Sequence, residues 1–245
     1  MMKQLLKQDV LFQFRHGFYY VYAFVTFVYI LILLLIPLEY RGFWSTLIIF
    51  TDPGTLGFFF IGTIIMLERN QQLLQYLFIT PIKLLPFLLS KMISLFIIAW
   101  ITSVLIVYTA LGMSVSLLHL TLGVLLCSLF FTAAGLAISV DSPSLNHFMF
   151  RAIVLMLLLY IPILNYIGWL PWKFLEVMPS YSALYLLDGA MSGGNGLLSF
   201  PAGGTTIIVH TGLLALWGAV GFYIAYIRFN RYILSNTGEH KEISV

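Results

Sequence analysis

Charge is scarce in this 245-residue chain: 9% of the residues are Asp, Glu, Lys or Arg, against 61% that are hydrophobic. Together with a mean hydropathy of +1.00, this excludes an ordinary soluble domain and places the chain in the membrane class. Cysteine is limited to Cys127, which excludes a disulfide framework and a thiolate metal cluster. The histidines, His16, His119, His147, His210 and His240, are far apart and make no H-E-x-x-H, so a metal hydrolase has no motif to stand on. There is no G-x-x-x-x-G-K-[ST] to cradle nucleotide phosphates. A basic stripe is also missing: the net charge of +3 comes from residues scattered at helix ends, which argues against nucleic acid as a partner. The apolar runs show no alternation, which argues against a transmembrane barrel.

What the chain does have is apolar windows of about 20 residues, the length needed to cross a bilayer. Six such windows are present: Phe18 to Pro37, Leu47 to Leu67, Pro86 to Gly112, Leu117 to Val140, Arg151 to Trp169 and Thr205 to Ile227. The first is too long, and lacks the small-residue cleavage site, to be a removable signal peptide. An even number of spans puts both termini on one side. If that side is the cytoplasm, it carries Lys3, Lys7, Arg15, Arg69, Lys83, Lys91, Arg151, Arg228, Arg231 and Lys241, leaving Arg41 and Lys173 outside. This positive-inside bias sets the orientation. The outer loops then cover 38 to 53 and 170 to 204, the inner ones 68 to 85 and 141 to 150. Glu39, Asp52, Glu176 and Asp188 fall on the outer side. Ionisable groups are nearly absent from the span interiors, which argues against a proton or sodium relay.

Two segments read as amphipathic. In residues 1–17, Leu6, Val10 and Phe14 recur at helical spacing while Lys3, Lys7 and Gln8 turn away, the pattern of a helix lying along the inner interface. In 68–81, Glu68, Arg69, Gln71, Gln72 and Gln75 interleave with Leu73, Leu74, Leu77 and Phe78, which predicts a short cytoplasmic helix. Thr80-Pro81 should end it, because proline donates no N–H and restricts the residue before it.

Glu68-Arg69, then Leu74, Thr80-Pro81 and Lys91 in order, resemble the loop between the second and third spans of ABC-2 type transporter permeases. Asn70 replaces an acid usual in that loop, Gln71-Gln72 replace its Gly-Thr pair, and Ser90 stands where a glycine is usual. Within that family the chain is similar to the small stand-alone permeases of drug or fluoroquinolone export. The resemblance implies that 68–81 is a coupling helix seated on a separate ABC ATPase subunit, which would bind ATP and Mg. Glu68, Arg69, Leu73, Leu74, Leu77, Thr80 and Pro81 would form the ATPase interface, and Lys91 would be a snorkelling cytoplasmic anchor. It also implies a second permease copy or a sister permease, no cofactor in this chain itself, and a bacterial inner-membrane location.

The segment 170–204 is apolar but interrupted by Pro171, Pro179 and a glycine run, which suggests two short helices, Trp172 to Val177 and Ser180 to Met191. By the same resemblance these are outer re-entrant helices, with Pro179, Tyr181 and Leu184 at an outer gate. Met191-Ser192-Gly193-Gly194-Asn195 superficially resembles an ATPase signature, but a flexible turn explains its glycines.

The expectation is therefore one all-α domain over 1–245, with six spans, an interfacial helix, a coupling helix and re-entrant outer helices. It would act as the permease subunit of an ATP-driven exporter of a hydrophobic or amphipathic drug, lipid or peptide, and not as an enzyme. The alternatives are an ATP-independent channel or secondary carrier, and an intramembrane enzyme pairing Ser103, Ser128 or Ser139 with His210.

Overall fold

The computed structural model describes residues 2–72, 83–112, 115–191 and 204–236. The described residues form helices and no strand. In chain order they are α1 (Met2–Arg15), α2 (Phe18–Leu35), α3 (Leu38–Thr51), α4 (Gly57–Asn70), α5 (Leu84–Leu111), α6 (Leu117–Ser139), α7 (Leu145–Tyr166), α8 (Pro179–Met191) and α9 (Gly204–Asn236). A π-helical turn, Asp52–Leu56, fuses α3 and α4 into one run, and a 3₁₀ turn at Lys173–Val177 leads into α8. Gly17, at φ 79°, breaks the chain between α1 and α2 in a left-handed conformation that a side chain would resist.

Six segments are long and apolar enough to cross a membrane: Phe18–Leu35, Leu38–Asn70, Leu84–Leu111, Leu117–Ser139, Leu145–Tyr166 and Thr206–Ser235. The all-α, six-span architecture is the one the sequence predicts. The boundaries differ in instructive ways. The expected outer loop at 38–53 is helical, so the second span is 33 residues long. At 1.5 Å per residue it measures about 50 Å, against a hydrocarbon core of about 30 Å. Glu39, Tyr40 and Arg41 interrupt the apolar window without interrupting the helix. The Arg41 guanidinium is used up on helix ends, its Nε donating to the Ile36 carbonyl at 2.9 Å, Nη2 to Leu34 at 3.1 Å and Nη1 to Ala110 at 3.3 Å. These are the orphaned carbonyls at the C-termini of α2 and α5, where a cation is favoured. The inner loop expected at 141–150 shrinks likewise, because α7 starts at Leu145, with Ser144 accepting from the His147 N–H at its N-cap.

α6 is the central element, packed against α4, α5, α8 and α9. Its burial depends on small residues. A Cβ on Gly135 would sit 2.6 Å from the Phe58 carbonyl oxygen of α4, and one on Gly123 would sit 2.9 Å from Leu187 of α8. α2, α7 and α9 lie outside, with Phe24, Phe150 and Ile208 exposing large apolar surfaces. An apolar exterior of this kind is what a bilayer solvates.

α8 is unusual. It packs against α3, α6, α7 and α9, and of its residues Gly189 alone is not buried. A helix buried all round belongs to an interior, yet at about 20 Å this one is too short to span. Its range, and that of the 3₁₀ turn before it, match the two short helices read from the sequence to within a residue.

Gly135→Ala should separate α4 from α6, because the clash is with backbone and cannot be relieved by a rotamer change. The expected loss is about 1–3 kcal/mol, seen as a lower melting temperature of the purified protein. Gly218→Ala, where an added Cβ meets nothing within 4 Å, should leave it unchanged.

Candidate functional site

The face of α1 that meets the bundle is not the apolar stripe Leu6, Val10 and Phe14. It is Leu5, Asp9 and Gln13, spaced four residues apart and buried against α5. Val10 and Phe14 are exposed. α1 is therefore held by polar contacts on its inner side and presents its grease outward.

Lys91, on α5, is the centre of these contacts. It is 1% exposed, and its Nζ donates to Asp9 Oδ1 at 2.9 Å and to Glu68 Oε1. Ser90 donates to the other Asp9 oxygen, and Gln13 Nε2 donates to Ser94 Oγ at 2.7 Å. The ammonium also lies 4.5 Å from the centre of the Phe87 ring, a further favourable contact for a desolvated cation. The cluster thus joins three elements: α1 through Asp9, the end of α4 through Glu68, and the start of α5 through Lys91. Two carboxylates face one ammonium, and Glu68 Oε2 has no hydrogen-bond partner among the described residues.

Arg69 points elsewhere. Its Nη2 donates to the Pro143 carbonyl at 3.1 Å, in the turn between α6 and α7, and contacts Met66 Sδ at 3.1 Å. The Glu-Arg pair therefore grips both sides of the bundle from one helical turn. α4 ends at Asn70, and two positions on Gln72 takes φ 60°, a left-handed stop usually given to glycine.

Sequence reasoning put Glu68 and Arg69 on a separate helix and made Lys91 a snorkelling anchor. In the structure Glu68 and Arg69 are the last turn of the second span, and Lys91 is buried between two carboxylates. The charge balance is the reason: an ammonium with two carboxylates in reach has no need to reach for water. Leu73, Leu74, Leu77, Thr80 and Pro81 lie outside the described residues. Asp9 was missed altogether, because a carboxylate in a basic amphipathic helix reads as part of its solvated face.

A family profile described as the fluoroquinolones export permease protein family matches residues 1–237. The chain belongs to this family. Among its relatives are the fluoroquinolones export permease proteins of two strains of Mycobacterium tuberculosis, each 25% identical over 186 residues, covering 76% of this chain and 78% of theirs. No solved structure matches. The family is one of transport permeases, and the apolar helices make this member a multi-pass membrane protein.

At the opposite end of the export permease, Pro179 opens α8 at a position where its missing N–H costs nothing, and Tyr181 and Leu184 are buried, Leu184 in the main core. Tyr166 donates to Asp188 Oδ1 at 2.7 Å. Burial raises the Asp188 pKa, and the Tyr166 hydrogen bond works against that rise. Trp217 Nε1 donates to the Val177 carbonyl at 3.0 Å, tying α9 to the 3₁₀ turn. His210 has its Nδ1 3.1 Å from Ser182 Oγ and stacks near Tyr185. Its serine neighbour is thus none of the three suggested by the sequence, and Ser139 donates instead to the Leu136 carbonyl of its own helix.

Between α6, α7 and α9 runs an apolar groove of about 410 Å³, lined by Phe130, Ala134, Leu155, Leu159 and Trp217, with Arg228 also in its wall. Arg228 pairs with Asp141 at 3.3 Å and donates to the Ala137 carbonyl at 3.1 Å. The span interiors also hold more charge than the sequence suggested. Asp52, placed in an outer loop by sequence, sits in the π-helical turn mid-span and is 0% exposed.

Lys91→Met should be the most damaging single change in the cluster, because it leaves two carboxylates buried without a cation. A cost of about 3–5 kcal/mol is expected. Asp9→Asn retains one carboxylate for Lys91 and should cost less. Thermal unfolding of the purified variants, with limited proteolysis of α1, checks both, and equal stability of Lys91→Met and wild type would rule out a structural ion cluster.

Proposed function

We propose that this chain is the membrane-spanning subunit of an ATP-binding cassette exporter that moves a hydrophobic or amphipathic cargo out of a bacterial cell. Fluoroquinolones, named for its relatives, are the first cargo to consider. ATP and Mg are handled by a separate ATPase subunit, and a second copy or a sister permease completes the transporter. Both termini and the segment 68–81 face the cytoplasm, in keeping with the distribution of Lys and Arg.

The observation that carries this reading is the Asp9–Lys91–Glu68 cluster at the foot of the segment that resembles a coupling helix. A rod seated on an ATPase moves the spans only if its attachment is stiff. Here the attachment branches into α1, α4 and α5 through buried charge contacts, and into the α6–α7 turn through Arg69. Closure of the ATPase subunits would then move these elements together, the condition for switching between two packed arrangements. At the other end, α8 with Pro179, Tyr181 and Leu184 acts as the outer gate, since a short helix enclosed by spans closes the path and can be displaced without unmaking a span. The groove, apolar but for Arg228, whose charge is paired with Asp141, supports a hydrophobic or amphipathic cargo.

Co-expression with its P-loop ATPase should lower fluoroquinolone accumulation in cells, and the two subunits should copurify. Leu73→Asp with Leu77→Asp should reduce copurification by roughly tenfold or more, as expected when two leucines are lost from a subunit interface, while the permease stays in the membrane. Export that persists without any ATPase would favour a channel or secondary carrier, and normal copurification of the double variant would remove 68–81 from the interface.

A further inference from the structure

Asp52 is a carboxylate in the middle of a 33-residue span, on the one π-helical turn among the described residues. One oxygen, Oδ2, accepts from Thr102 Oγ1 at 2.7 Å. The other, Oδ1, is buried with no hydrogen-bond partner among the described residues. Within reach of its charge are Tyr22 and Tyr29 of α2 and Cys127 of α6, and the Tyr22 hydroxyl is buried without a partner as well. Among the described residues, no lysine, arginine or histidine is paired with Asp52. The Lys91 cluster belongs to other carboxylates.

An unpaired carboxylate in a low-dielectric interior is costly, and such residues in spans are kept for a role. π-helical turns have the same bias toward functional positions, since they widen the helix and re-aim its side chains. The surroundings favour one kind of ligand. Just before the turn, Phe50 packs against Phe131 and Tyr160 with ring centres 5.7 and 5.4 Å away, and on the turn itself Gly54 faces the same two side chains, an added Cβ lying in ordinary contact 3.5 Å from Phe131. Aromatic side chains around a turn that carries a single carboxylate suit an organic cation built on a flat ring system. They do not suit a metal ion, for which three or more grouped His, Cys, Asp or Glu side chains are lacking among the described residues.

We propose that Asp52 is the recognition site for the basic amine of an aromatic cargo, with Oδ1 accepting the ammonium N–H and Tyr22 offering its hydroxyl oxygen as a second acceptor. The assignment rests on the export reading for its physiological meaning, but binding to the purified permease tests it separately. The site is closed in this structure.

The probes are ciprofloxacin, which carries a basic piperazine amine, N-acetylciprofloxacin, in which that amine is no longer basic, and flumequine, which has none. Binding to the full-length permease in nanodiscs is followed by the drugs' own fluorescence. Wild type should bind ciprofloxacin about tenfold or more tightly than the other two, the difference expected of one charge-assisted hydrogen bond. Asp52→Asn should abolish that preference and leave flumequine binding unchanged, which also reports that the variant is folded.

A second measurement needs no variant. Ciprofloxacin, and not N-acetylciprofloxacin, should slow the modification of Asp52 by a hydrophobic carbodiimide, read by peptide mass spectrometry. Equal affinity for the three drugs, an unchanged preference in Asp52→Asn, or no protection of Asp52 each overturns the assignment. If cells with the ATPase export all three drugs alike, Asp52 is the error and the export reading stands. If the purified permease shows the amine preference but cells export nothing, the site stands and the export reading falls.

Discussion

One buried ammonium organises the end of the molecule at which α1 lies. Lys91 has given up water, and everything around it answers that loss: Asp9 comes from the helix before the first span, Glu68 from the end of the second, and Phe87 from the preceding turn of its own helix. Remove the ammonium and α1 keeps Leu5, Gln13 and the Ser90 hydrogen bond to Asp9, with two carboxylates left in a dry place. Pairs of this kind are seldom the cheapest way to stabilise a bundle, since apolar residues of similar volume often serve as well. What the cluster supplies is definition: it fixes which face of α1 turns inward and how the ends of α4 and α5 stand to each other.

The middle of the bundle is specified by different means. α6 threads between four other helices, and the close approaches occur where it has no side chain, at Gly123 and Gly135. In a bilayer, where lipid tails are as apolar as leucine, such contacts come from close packing and from polar groups satisfied between helices. Trp100 Nε1 donating to Thr121 Oγ1 at 3.0 Å is one of the latter. α8, enclosed on all sides, completes the packing from the end opposite the ion cluster. The permease therefore has a buried ion cluster at one end and a short, enclosed helix at the other, with the π-helical turn of the second span between them.

Much of this was legible in the sequence. The number of spans follows from hydropathy because a bilayer demands about 20 apolar residues and internal hydrogen bonding for every crossing, and no packing can change that. The two short helices before α9 were legible from Pro179 and the apolar run behind it. The family was legible from Glu68-Arg69, Thr80-Pro81 and Lys91 in order. Helix extents were less so: residues 38–53 looked like a loop because Glu39 and Arg41 break an apolar window, whereas a charge whose donors cap neighbouring helices does not end its own.

What the sequence by itself determined is the class of molecule, an all-helical protein of six spans, since composition and run length answer to the solvent alone. What only the tertiary structure decided is the partner of each charge. Asp9 is 82 positions from Lys91 and Asp52 is 50 from Thr102, separations at which no local period carries information. Whether a carboxylate faces water, an ammonium or nothing depends on which helices cross beside it, and that is settled by packing.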